Sequence, residues 1–302
     1  DRIRAAATGS PKAAEFAAIA SVEAQDASTV VVSLTEPQPA FLSTLASGWG
    51  AILPSEKLAA GHDFGNQPVG TGPFSFVSWS RDNAITLAAN PNYYQGAPLV
   101  DQVVIRFVTD SAVQLQGLLT GEFDVIDTVA AADQQLVEAN PSLELVREPS
   151  GLVLVAGINN RRPYLSDARV RRALNLGVDT SIVMDVAYNG GTQVGTFMEA
   201  GSPWYPASVE PFPYDPEAAR ALLAEAGVPQ GLTLDLVLPQ PYEQHIQAGQ
   251  IVQDYLRDLG INAQIRIVEW GVWLSDTYGG PRNFDITVVG HTGKLDPSGR
   301  VT

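Results

Sequence analysis

The stretch from Leu232 to Ile267 constrains the fold most, because its hydrophobic period changes twice along its length. Leu232, Leu234, Leu236 and Leu238 recur at every second position, the period of a strand that buries one face. Ile246 to Leu259 carries apolar residues at helical spacing and stops at Gly260, where a residue without Cβ takes the left-handed conformation that closes a helix. Ile261, Ala263, Ile265 and Ile267 then return to period two. Strand, helix and strand joined this closely make a βαβ unit, so a parallel pair with a right-handed crossover is expected. The preceding residues extend the pattern: Asp215 caps a helix with Pro216 at its first position and Leu222 and Leu223 inward, and Gly227 ends it.

Upstream, the grammar is that of hairpins. Val22-Glu23-Ala24 and Val30 to Leu34 flank a turn at Gln25 to Ser28, and a short helix is expected over Ala40 to Leu45. Phe74 and Phe76, then Ile85 and Leu87, alternate on either side of Ser80-Arg81-Asp82-Asn83, which reads as an antiparallel pair. Val103, Ile105 and Phe107 give another strand, and the helix bearing Val113, Leu115, Leu118 and Leu119 stops at Gly121. Phe123, Val125 and Ile126 read as a return to strand. The apolar run 152–158 suits a strand buried on both faces. After it comes a helix capped by Ser166 or Asp167 with Val170, Ala173 and Leu174 inward. A further helix over Ile182 to Tyr188 is closed by Asn189-Gly190-Gly191, and Pro203, Pro206, Pro211 and Pro213 mark a loop.

With 302 residues, the chain exceeds the roughly 250–300 at which single cores stop growing, so two lobes are expected. A net charge of -15 disfavours nucleic acid, whose phosphates need clustered cations. The one basic cluster, Arg161, Arg162, Arg169, Arg171 and Arg172, reads as a solvated or salt-bridged helix face. The absence of cysteine removes disulfides and thiolate metal sites. No run reaches the ~18 apolar residues of a spanning helix, and Asp1-Arg2-Ile3-Arg4 lacks the apolar region of a signal peptide. His62, His245 and His291 stand in no hydrolase or metalloprotease spacing. Gly290-His291-Thr292-Gly293-Lys294-Leu295 has its glycines too close together for a phosphate loop, and Leu295 where a magnesium-binding hydroxyl belongs. No catalytic residue, metal or cofactor is expected.

Three pieces in fixed order carry a family resemblance: Pro68-Val69-Gly70-Thr71-Gly72-Pro73-Phe74, Asn90-Pro91-Asn92-Tyr93-Tyr94, and Gly121-Glu122-Phe123-Asp124-Val125-Ile126-Asp127. Arg162-Pro163-Tyr164, the segment Asp167 to Leu174, Tyr214-Asp215-Pro216, Leu259-Gly260-Ile261, Glu269-Trp270 and Phe284-Asp285 follow in the same order. Together they resemble the bacterial extracellular solute-binding proteins of family five, which serve peptide, nickel and oligosaccharide ABC importers. The resemblance implies an α/β, two-lobed periplasmic-binding-protein-like (type II) fold with mixed sheets, incomplete here at both ends. It divides the chain into an accessory subdomain of lobe I (1–67), the lobe I core (68–156) and part of lobe II (157–302). It also implies a monomer located in the periplasm or outside the cell, free or lipid-anchored, that encloses a small polar solute by hinge closure and passes it to a membrane permease. Peptides or peptide-like compounds are the first ligand class; sugars, opine-like or anionic solutes and a sensory role remain open, with a hydrolase last.

By the same resemblance, the loop holding Gly290, His291, Thr292 and Lys294 faces the ligand. Peptide-binding members carry an aromatic residue after the glycine and then an Asp that accepts the peptide ammonium; His291 and Lys294 occupy those positions here. Lys beside an ammonium replaces attraction by repulsion, so Lys294 suits a carboxylate, a phosphate or hydroxyls, or is simply solvated. Trp270 matches a position that lines the cleft or packs in the core, and Tyr278 falls near a position that can face the ligand. Asn159 and Asn160 either hydrogen-bond the ligand or brace a turn.

Overall fold

A computed structural model describes residues 13–147, 151–206, 208–240 and 242–292. The chain divides after Val108 into two compact units.

In the first unit, β1 (Ile19–Ala24) and β2 (Val30–Leu34) form the expected antiparallel hairpin, with Val22 opposite Val32. Its turn is set locally: the Asp26 carboxylate accepts from the Ser28 amide at 2.8 Å, an Asx turn that substitutes for a backbone turn. A second sheet runs β3 (Phe74–Ser80), β4 (Ala84–Ala89) and β5 (Gln102–Arg106), antiparallel throughout. Asp82 takes φ 58° in the tight link between β3 and β4, a conformation Asp tolerates better than most residues. Among the described residues of this unit, Phe16 and Phe41 are the buried large apolar side chains.

The second unit begins with helix Ser111–Thr120, capped by Asp110, whose carboxylate accepts from the Val113 amide, and closed by Gly121 at φ 74°. The strand expected over Phe123 to Ile126 does not form; no ladder engages these residues among those described. The Phe123 ring instead turns back onto Gly117, so closely that a Cβ there would stand 2.4 Å from it. A short apolar stretch makes a strand only where a neighbouring backbone receives its hydrogen bonds.

The main sheet of this unit has the order β6 (Leu152–Ile158), β9 (Ile286–Thr292), β7 (Leu232–Pro239), β8 (Ile261–Val268). β7 is parallel to β8, as the βαβ pattern requires, and also parallel to β9, while β6 is antiparallel to β9. The 152–158 strand is therefore not buried on both faces: it lies at the edge, and of its residues only Val153 is fully buried. One face of the sheet, through Leu234, Leu236, Leu238, Ile286 and Val288, packs on helices Ala168–Leu176, Thr180–Tyr188, Pro216–Glu225 and Glu243–Asp258. The other face presents Val237 and Val289 to Trp273. This alternation of successive side chains between the two faces is the strand period made physical.

At the amino end of β9 a polar lock joins distant segments. The Asn159 side-chain amide donates to the Arg282 and Phe284 carbonyls, both at 2.9 Å, and its oxygen accepts from the Arg161 amide. Arg162 pairs with Asp285 at 3.2 Å, and Asp285 in turn accepts from the Asp235 amide at 2.8 Å. Arg169 pairs with Asp167 and Glu225, while Arg171 donates to the Leu165 and Ser166 carbonyls. Of the basic cluster, Arg162 and Arg169 are thus salt-bridged and Arg171 is bound to carbonyls, and ion pairs as exposed as those of Arg169 add little to stability.

Candidate binding cleft

Strands β7, β8 and β9 run in parallel, so Pro239, Val268 and Thr292 end at one edge of the sheet, and antiparallel β6 starts there, with Leu152 opposite Thr292. In α/β sheets the carboxyl edge is where connecting segments leave room for a ligand. The segments leaving β7 and β8 are rich in aromatic residues: Tyr242 precedes helix Glu243–Asp258, whose first turn carries His245, and Trp270, Trp273 and Tyr278 follow β8.

These rings form a wall. Tyr242 stacks on His245 at 5.1 Å and meets Trp270 edge-on at 5.2 Å; Trp270 stacks on Trp273 at 5.1 Å with planes 4° apart. Trp273 then stacks on Tyr278 at 5.7 Å, and Tyr278 stands 6.1 Å from His291. Backbone geometry makes the Trp273–Tyr278 pair possible. Residues five apart point about 140° away from each other on an ordinary α-helix, but Trp273–Tyr278 is a π-helical turn, with the Gly279 amide bonded to the Leu274 carbonyl at 2.9 Å. Glu269 caps the segment, its carboxylate accepting from the Gly271 amide at 2.7 Å. Trp273 is buried and anchors the wall to the sheet: its indole N–H donates to Thr287 Oγ1 at 3.0 Å, and Thr287 donates to the Val237 carbonyl at 2.7 Å.

His245 closes the circuit. The Gly290 amide donates to its Nε2 at 2.8 Å, and Tyr188 Oη lies 2.9 Å from its Nδ1. Burial, with a smaller contribution from the charge of His291, pushes the imidazole down to about 4, and burial pushes the Tyr188 phenol up. The folded value lies below the ordinary 6.5, so the unfolded chain binds the proton more tightly. The stability contributed by neutral His245 is therefore complete above about pH 6.5 and is lost as pH falls towards about 4. Urea unfolding at about pH 7 and about pH 4.5 is expected to show the unsubstituted protein losing on the order of 2 kcal/mol more than His245→Gln; equal losses would refute the assignment.

The wall borders an open cleft of about 1050 Å³, also lined by Asp127, Gln134, Arg147, Tyr188 and Asn189. Arg147 is held by Glu138 at 2.5 Å and Gln134 at 2.6 Å, and Gln134 also accepts from Asn189. Among the described residues no group of three or more His, Cys, Asp or Glu is placed to hold a metal ion.

Of the residues singled out in the sequence, the structure brings Trp270, Tyr278, Gly290, His291 and Thr292 together on this cleft. Asn159 is buried with its amide fully engaged in the polar lock, Asn160 is exposed, and neither lines the cleft. Lys294 lies outside the described residues. Tyr188, Tyr242, His245 and Trp273 were not singled out as ligand-facing; the signal for Tyr242 and His245 is their place directly after the carboxyl end of a parallel strand.

Residues 1–300 match the bacterial extracellular solute-binding proteins, family 5 Middle. The chain belongs to that family. It is 31% identical over 288 residues to di/tripeptide-binding protein 2 of Pseudomonas aeruginosa (strain UCBPP-PA14), covering 91% of this chain and 54% of that protein. Among solved structures it resembles the periplasmic binding protein DppA of Helicobacter pylori in complex with peptide STSA, with TM-score 0.82 and 26% identity over 93% of this chain and 56% of the other. It also resembles MoaA of A. tumefacien R10 in complex with mannopinic acid, with TM-score 0.83 and 28% identity over 96% of this chain and 59% of the other. The chain thus spans little more than half the length of these family members. Its mixed α/β fold is that of two-lobed periplasmic binding proteins. The family is extracellular or periplasmic and binds solutes, and among the described residues no helix is long and apolar enough to cross a membrane.

Proposed function

We propose that the protein is the extracytoplasmic receptor of an ABC importer, monomeric and non-catalytic, that captures a peptide or peptide-like solute between two lobes and delivers it to the membrane permease. The aromatic wall at the carboxyl edge of the sheet carries this reading. It offers π faces and ring edges to side chains of varied shape, beside backbone and amide groups able to orient a polar main chain. A ligand that prefers the closed arrangement shifts the hinge equilibrium by its difference in affinity, with no bond made or broken.

Native mass spectrometry of the purified protein tests this by identifying what it retains, and titration with that compound is expected to change tryptophan fluorescence through Trp270 and Trp273. Conversion of the retained compound to another product, or no response to any retained compound or di- or tripeptide, would refute the reading. A second reading, an opine-like or anionic ligand on the same scaffold, is favoured by the likeness to a mannopinic acid complex and by Lys294 at the position where peptide-binding relatives carry Asp. Lys294→Asp separates the two: a gain of at least about tenfold in peptide affinity would show that Lys294 had opposed the peptide ammonium, whereas unchanged affinity places Lys294 away from the ligand.

A further inference from the structure

The hydrogen bonds around His245 leave one arrangement of protons. A backbone amide only donates, so the Gly290 N–H at 2.8 Å obliges Nε2 of His245 to be the acceptor and to carry no proton. A neutral imidazole then carries its proton on Nδ1, and that N–H donates to Tyr188 Oη at 2.9 Å. The Tyr188 oxygen is used as an acceptor, which leaves its own O–H free to donate. That proton meets no acceptor among the described residues, and Tyr188 lines the cleft.

We propose that His245 is a positioning residue that fixes Tyr188 as a hydrogen-bond donor into the cleft, so that the ligand group seated there is an oxygen acceptor, a carboxylate or carbonyl, and not an ammonium. The ligand assignment rests on the solute-binding reading above; the proton arrangement does not. Two features keep the arrangement in place. Tyr242 stacks on the imidazole at 5.1 Å and holds its plane. The Gly290 amide belongs to β9, whose pairing with β6 fixes its direction, Gly290 lying opposite Leu154. An ammonium at this position would face the hydrogen end of the phenol, a repulsive contact in a partly desolvated site.

Two measurements test the proposal. Long-range ¹⁵N–¹H correlation on the purified protein at neutral pH is expected to show His245 protonated on Nδ1; protonation on Nε2 would overturn it whatever the protein binds. Calorimetric titration with dialanine as probe is expected to show Tyr188→Phe weakening affinity about tenfold. His245→Leu should weaken it comparably. His245→Gln should recover most of that loss, because its amide offers an acceptor to Gly290 and a donor to Tyr188. Unchanged affinity in Tyr188→Phe would overturn the donor role. Should neither dialanine nor any other di- or tripeptide bind to these proteins, the ligand assignment falls together with the peptide reading. The ¹⁵N result then decides the proton arrangement separately, and since it is read on the unsubstituted protein, poor folding of His245→Leu does not affect it.

Discussion

Trp273→Ala is expected to cost about 3–5 kcal/mol of stability, the range for deleting a buried aromatic side chain, and to abolish or severely weaken ligand capture in the same protein. The indole is 3% exposed, packs on Val237 and Val289, stacks on Trp270 and Tyr278, and is tethered through Thr287 to the β7 backbone. Removing it opens a void under the wall and frees the rings on either side. Urea unfolding followed by circular dichroism reads the first effect and titration the second. Trp273→Phe separates packing from polarity: it keeps a ring in place but leaves Thr287 Oγ1 without its donor, so a loss of about 1 kcal/mol is expected. A loss below about 1 kcal/mol in Trp273→Ala would mean that the wall does not depend on this anchor.

Leu238→Ala is expected to cost about 2–5 kcal/mol, and part of that loss should be recoverable from the facing helix. Leu238 is fully buried, and its methyl carbons would lie 2.5 Å from a Cβ added at Gly249. Gly249→Ala alone therefore overpacks the interface, by about 1–3 kcal/mol. Combined, the two substitutions relieve each other, since the alanine methyl at 249 enters space vacated at 238. The double mutant should be at least about 1 kcal/mol more stable than the sum of the single effects predicts. Simple additivity in urea unfolding would show that the glycine is not there to admit Leu238.

The parts of the fold legible in the sequence were those set by local period. Leu232 to Leu238 and Ile261 to Ile267 alternate cleanly with a helix between them, and β7 and β8 pair in parallel as that pattern requires. The helix begins at Glu243, one turn ahead of its first periodic residue, because its first turn carries Glu243 and Gln244 rather than apolar side chains. Phe123 to Ile126 shows the limit of the method: a short apolar stretch with no partner strand makes no ladder. The cleft was legible where a family pattern marked it, at Trp270, Tyr278 and the Gly290 to Thr292 segment. It was not legible where the lining of the cleft depends on pairs far apart in sequence. Tyr188 and His245 are 57 positions apart, His245 and Gly290 a further 45. Asn159 looked equally suited to a ligand or a turn, and the carbonyls that occupy its amide lie 123 and 125 positions away.

The two ends of the main sheet carry separate burdens. At the amino end of β9, Asn159, Arg162 and Asp285 lock three distant segments into one frame, while Tyr242, Trp270, Trp273 and Tyr278, which line the cleft, lie on segments leaving the opposite end. Substitutions in the segments that follow β7 and β8 therefore reach the cleft without touching the lock, except at Trp273, whose indole also braces the sheet through Thr287.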